Sequence, residues 1–337
     1  MIYIVIAYLW MAILLYLLLG GADFGAGIIE LFTSDTNKDK TSLKMSRTIG
    51  PIWEANHMWL IIVIVILFTG FPEIYASVST YLHIPLLIML MGIIARGTAF
   101  AFRHYDAVED FMQVIYNKIF RYSSFVTPLF LGIIAASAVS GTINPDAKGF
   151  AEAYIFSWLH FFSVSVGLFT VCICGYLAAI FLIGETETRE ERRRYIVKSR
   201  SMNIAAVIAG ALVFLAASYD GVPLGKWLFG NPVGIVAVGA AIISLILQWV
   251  LIGHGQKIII RLLAGFQITM LLVATTYFHY PKIILFSGKR YLSLTLHRGD
   301  DKAIESLALA LLIGSLFILP ALFYLIYSFQ KKEASEI

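Results

Sequence analysis

With 337 residues, 59% of them hydrophobic and only 14% charged, and a mean hydropathy of +0.83, the chain is too apolar for an ordinary soluble globule. The net charge of +4 is modest, and the basic residues stand beside apolar runs, where they report membrane orientation and give no nucleic-acid-binding surface. Two cysteines, Cys172 and Cys174, fall on different faces of one apolar run and are too few for an iron–sulfur cluster, so they read as small core residues.

Nine hydrophobic spans succeed one another, each near the ~20 residues that cross a bilayer. They are expected over Ile2–Leu31, Trp53–Ser77, Ile84–Phe102, Phe125–Ile143, Ile155–Ile183, Ile204–Tyr219, Val233–Ile252, Ile258–Phe278 and Ile304–Phe329. Met1-Ile2-Tyr3 carries no basic segment and the first run is too long for a signal-peptide core, so no cleavable signal is expected. Short breaks such as Asp220-Gly221-Val222-Pro223 and Gly253-His254-Gly255 join antiparallel neighbours, which implies helical bundles with little extramembrane mass.

The first span carries Gly20-Gly21-Ala22-Asp23-Phe24-Gly25-Ala26-Gly27 towards its end. Gly21 and Gly25 form a small-xxx-small pair that lets a neighbouring backbone approach closely. Asp23 lies on the order of 12 Å from Leu31 if the helix continues, and so inside the membrane. If the glycines instead break the helix, Asp23 caps the next helical segment.

The second span opens with Gly50-Pro51-Ile52-Trp53-Glu54-Ala55-Asn56-His57-Met58-Trp59, which puts a carboxylate, an amide and an imidazole in its first turns. Pro51 suits a helix's first turn, and Trp53 and Trp59 suit headgroup-level anchoring. An ionisable group there is costly, so Glu54 faces protein or water and is a functional candidate, unless it only stabilises the positive end of its own helix. His57, one turn on, can share a hydrogen bond with Glu54.

The third span brings the opposite charge, with Arg96 inside it and Arg103 at its end. Arg103 can snorkel to the interface, whereas Arg96 needs a carboxylate partner, for which Asp23 and Glu54 are nearest in depth. His160 and His279 read as interfacial or hydrogen-bonded histidines. The run from Glu185 to Arg194 reads as a solvated helix between approximate halves 1–150 and 151–337 of one integral membrane domain, with a cytoplasmic linker over 184–200.

Basic residues set the expected orientation. Lys38, Lys40, Lys44, Arg47, Arg103, Lys118, Arg121, Arg189, Arg192–Arg194, Lys198, Arg200, Lys257 and Arg261 fall on one side, as do Lys331 and Lys332, which predicts an external N-terminus and a cytoplasmic C-terminus. Lys282, Lys289, Arg290, Arg298 and Lys302 form an exception in the last external loop.

The motifs around Asp23, Gly50–Leu60, Phe71-Pro72 with Tyr75-Ala76, and Arg96-Gly97-Thr98-Ala99-Phe100-Ala101-Phe102-Arg103 together resemble the second subunit of bacterial cytochrome bd quinol oxidases. The motifs cover about the first third of the chain, and the length and span pattern extend the likeness. The resemblance implies an all-α polytopic subunit with two four-helix bundles and one extra helix, in the bacterial cell membrane. Its complex would oxidise quinol and reduce dioxygen to water with cytoplasmic protons. Two b-type haems and one d-type haem would sit in a larger subunit I, with a small single-helix accessory subunit, lipid and quinone as further partners.

No haem, metal or catalytic residue is expected on this chain itself. The resemblance implies a proton path in which Glu54 stands where the family commonly has Asp; Asp23, His57 and Asn56 are its other candidates, and Arg96 and Arg103 its charge partners. Ala22, His57 and Ala101 depart from the family pattern. A proton-coupled secondary transporter is the alternative, although Asp23, Glu54 and Arg96 have no evident counterparts in the second half, as internal repeats would require. A purely structural assembly subunit is a third reading.

Overall fold

The computed structural model describes residues 1–33, 53–105, 111–186, 188–253 and 256–335; within these ranges the side chains at 53–55, 104–105, 322, 323 and 325–335 are outside the description. The loop with Lys38, Lys40, Lys44 and Arg47, the Gly50-Pro51-Ile52 approach to the second span, and the Glu54 side chain therefore lie outside the described residues.

The chain is a set of long apolar helices: α1 (Ile2–Leu31), α2 (Trp53–Gly70), α3 (Pro72–Tyr81), α4 (His83–Tyr105), α5 (Phe111–Ser140), α6 (Phe150–Tyr154), α7 (Phe161–Gly184), α8 (Arg189–Tyr219), α9 (Leu224–Phe229), α10 (Pro232–Leu251) and α11 (Lys257–His279). A two-stranded hairpin, β1 (Lys282–Leu285) and β2 (Tyr291–Ser293), precedes the last helix, α12 (Asp301–Ser335). Among the described residues eight helices are long and apolar enough to cross a membrane, and nine if the bent α2–α3 pair is one span. The helices α1, α2, α4 and α5 form one bundle and α7, α8, α10 and α11 the other, with α12 added against α1 and α2.

The two bundles meet where α1 and α5 pack on α7. A Cβ on Gly25 would overlap the backbone of Cys174, and one on Gly27 would overlap the Ser124 side chain, so these glycines permit backbone-level contact of α1 with α7 and α5. Ala26, Ile29, Tyr176, Leu177 and Ile180 are buried around that seam. Cys174 is buried within it and Cys172 is half-buried, consistent with small packing residues. The glycine-rich stretch does not break α1; the helix passes through it after one π-helical turn at Tyr16–Gly20.

Several expected boundaries move. The second span is not straight to Ser77: it ends at Gly70, and α3 turns by 116° with Pro72 in its first turn, where the absent N–H costs nothing. The helix expected from Ile155 begins at Phe161, because His160 takes up extended backbone and accepts from Ser163 N. The solvated linker and the sixth span are one continuous helix, capped by the Thr188 hydroxyl accepting from Glu191 N.

The end of the molecule with the hairpin is called the hairpin face and the end with Thr33 and Thr188 the linker face. On the hairpin face Asp220 Oδ2 accepts from Phe162 N at 2.6 Å and stands 3.4 Å from His160 Nδ1. His160 Nε2 lies 3.1 Å from Thr142 Oγ1, so this histidine joins three helix ends. Burial pushes His160 below its ordinary value, although the Asp220 carboxylate opposes the change. His279 Nδ1 sits 2.8 Å from Thr275 O, again a hydrogen-bonded helix-end histidine.

Candidate functional site: a buried charge ladder

Asp23 projects from α1 and Arg96 from α4, and both are only 1% exposed. Arg96 Nη1 and Nη2 donate to the two carboxylate oxygens of Asp23 at 2.8 and 2.7 Å, while Nη2 also reaches the Asp23 carbonyl at 2.9 Å. Its Nε donates to Ser124 Oγ on α5 at 3.0 Å. The guanidinium lies between the rings of Phe24 and Phe120, at 5.1 and 5.0 Å. Two-pronged pairing, a further donor contact and two aromatic faces are what a charge buried between helices requires.

One rung nearer the linker face the pattern repeats. Arg103 Nη1 donates to Glu30 Oε2 at 3.1 Å, and Arg121 Nε of α5 donates to Glu30 Oε1 at 2.8 Å. Glu30 is fully buried, and the Arg103 side chain is only 7% exposed, so Arg103 is held by a carboxylate and does not snorkel to solvent. The Phe120 ring is shared by two guanidinium groups, since Arg103 also lies 5.0 Å from its centroid.

Sequence reasoning missed Glu30, Arg121 and Ser124 as members of this site. The signal was present for Glu30: Asp23 to Glu30 and Arg96 to Arg103 are both steps of seven, about two helical turns, so two helices running in one direction can meet at two rungs.

A further candidate on α2 reaches the same neighbourhood. His57 Nε2 lies 3.9 Å from Asp23 Oδ2, and its ring stands 5.8 Å from Phe24 and 6.3 Å from Tyr16. Asn56 is buried beside it in sequence. Tyr16, in the π-helical turn, packs edge-on against Phe24 at 6.2 Å, and its hydroxyl is buried without a hydrogen-bond partner among the described residues. The π turn offsets the register of α1 just before Asp23, and such turns recur at functional sites.

The site therefore joins Asp23, His57 and Arg96, and next to them Glu30, Arg103 and Arg121, in the linker-side part of the first bundle. Chemically it combines ion pairs whose carboxylate oxygens are occupied with an imidazole at their edge. Among the described residues no group of three or more His, Cys, Asp or Glu is placed to hold a metal ion.

Such a fold and site define a multi-pass membrane protein with titratable and charged groups buried between its first helices. The family described as cytochrome bd terminal oxidase subunit II matches residues 1–329. The chain belongs to that family.

Cytochrome bd ubiquinol oxidase subunit 2 of Bacillus subtilis (strain 168) is 27% identical over 213 residues, 60% of this chain and 61% of that protein. Cytochrome bd-I ubiquinol oxidase subunit 2 of Escherichia coli (strain K12) is 24% identical over 199 residues, 56% of this chain and 52% of that protein. Each similarity thus spans less than two thirds of the relative's length. A chain of the bd oxidase structure from Geobacillus thermodenitrificans superposes with a TM-score of 0.79 at 20% identity, covering 97% of this chain and 98% of that one, which shows a shared fold. The family and fold do not favour the transporter alternative.

Proposed function

We propose that this chain is the subunit of an electrogenic quinol:dioxygen oxidoreductase that ligates no haem, and that it supports a larger subunit I and contributes to its proton supply. Subunit I would carry two b-type haems and the d-type haem, with quinol as substrate, and a small single-helix subunit would complete the complex. The observation that carries this reading is family membership over residues 1–329, joined to charged groups buried at membrane depth.

Reduction of dioxygen to water consumes protons, and a proton cannot cross hydrocarbon unaided, so titratable side chains must lead inward from one surface. In the proposed orientation the linker face is cytoplasmic. Glu54 and His57 on α2 take and pass the proton, with Asn56 orienting the chain between them and subunit I. Asp23 differs from the other candidates: both its oxygens are engaged by Arg96, so it acts as a fixed counter-charge at the edge of the path.

The test is to purify the chain through an affinity tag from its native membrane. A haem-bearing partner with b- and d-type absorption and quinol-dependent oxygen uptake supports the proposal. A chain that purifies free of any haem protein while the membranes retain quinol oxidase activity contradicts it.

A further inference from the structure

The proton-path reading leaves unused the basic loop that departs from the charge rule. Residues 282–302 hold five cations, Lys282, Lys289, Arg290, Arg298 and Lys302, against two acids, Asp300 and Asp301. Arg298 pairs with Asp301 at 2.7 Å, and Lys282 Nζ sits 4.1 Å over the Tyr291 ring. Both terminal nitrogens of Arg290 donate to the Asp146 carboxylate, a pair open to solvent, with Asp146 74% exposed, so an incoming anion competes with Asp146 for Arg290. Lys289 has no ion-pair partner among the described residues.

The loop is nevertheless held in place. Ser287 N donates to Ile143 O at 2.8 Å, Phe286 N to Arg290 O at 2.9 Å, and the Phe286 ring meets Tyr81 edge-on at 6.1 Å. Between hairpin, α3 and the loop after α5 lies a pocket of about 490 Å³. Lys289 and Arg290 supply its charge, Ser77, Tyr81 and Tyr291 its hydroxyls, and Phe286 part of its apolar wall. No acid lines it.

We propose that this pocket binds the phosphate of an anionic phospholipid headgroup. The size fits: an open depression of this volume takes a headgroup, where a protein partner would ask for a broader surface. The position fits as well. Pocket and hairpin stand at the helix ends, and the 116° turn into α3 lays that helix near the plane of the same membrane face, at headgroup level. Two cations in a lining that includes the hydroxyl-bearing Ser77, Tyr81 and Tyr291 suit phosphate oxygens, which would take the solvent-exposed Asp146 carboxylate's place on Arg290, and a neutral headgroup gains less from them. The proposal holds for either orientation of the chain in the membrane and is independent of the proton path.

The test titrates the purified complex containing this chain with dioleoylphosphatidylglycerol and with dioleoylphosphatidylcholine, and counts retained lipids by native mass spectrometry. The wild type is expected to retain the anionic lipid preferentially. Replacing Lys289 and Arg290 together by Gln should weaken that retention roughly thirtyfold, from about a five- to sixfold loss for each cation near a membrane surface. Lys289→Arg should keep it, and so should Lys302→Gln, a cation of the same loop outside the pocket. Equal retention of the two lipids, no effect of the double replacement, an equal loss in Lys302→Gln, or displacement of the lipid by inorganic phosphate would each overturn the proposal.

Discussion

Arg96 grips both carboxylate oxygens of Asp23, at 2.8 and 2.7 Å, across two helices that share no other charged contact at that depth among the described residues. Seven residues further along the same helices, Arg103 meets Glu30. The two rungs tie the first and third spans together and set a fixed field beside His57.

Removing one member of such a pair leaves the other charge buried and uncompensated. Asp23→Asn should therefore destabilise the complex by about 3–5 kcal/mol and lower its yield and haem content together. The double variant Asp23→Asn, Arg96→Gln should recover part of the loss. Thermal unfolding of the purified complexes measures both, and additive losses in the double variant would argue against coupling.

The seam between the bundles gives a packing prediction. Gly25→Val drives side-chain atoms into the Cys174 backbone and should block assembly or lower the melting temperature by many degrees. Gly239→Ala and Gly265→Ala have open space at the Cβ and should be tolerated. Expression level and detergent-stable complex on size exclusion distinguish the three.

His160 confers a pH dependence. Its folded value is lowered from 6.5 by burial, so the unfolded chain takes up the proton first on acidification. The stability tied to the neutral ring is present above that ordinary value and is lost as pH falls through the folded one. His160→Gln should flatten the acid-side decline in melting temperature below about pH 6.5 relative to the wild type. An unchanged slope would remove His160 as its source.

Orientation is open to a direct check with exposed positions. Lys148→Cys lies on the hairpin face and Arg193→Cys on the linker face, and both are exposed. An impermeant thiol reagent added outside intact cells should label the first and spare the second. The reverse pattern would invert the proposed topology and with it the side from which protons enter.

How much of this could be read in advance depended on what burial demands of each residue. Arg96 is deep in a span, so a carboxylate partner was required, and Asp23 stood at matching depth. Glu30 falls in the last turn of its span, where a carboxylate ordinarily reads as solvated; only the paired steps of seven pointed to its burial. The α2–α3 turn was marked by Phe71-Pro72, since the residue before proline is pushed out of helical geometry, and by the more polar Glu73, Ser77, Ser79 and Thr80 beyond it, but Ile74, Tyr75 and Ala76 let the span be read on to Ser77. The hairpin was similarly hidden: its strands are three and four residues long, too short for a pattern, and Gly288 in its left-handed turn was the one local sign. The continuity of α8 was missed because its first turns are polar and its later ones apolar, a change of environment that leaves backbone geometry untouched.

The central claim is that α2 carries a proton to subunit I through Glu54. Its most direct test is turnover per haem d in purified Glu54→Gln complex, with Glu54→Asp as the conservative companion. The account predicts that Glu54→Gln assembles with near-normal haem content and loses most quinol oxidase turnover, while Glu54→Asp retains much more. Turnover per haem d that is unchanged in Glu54→Gln would contradict it.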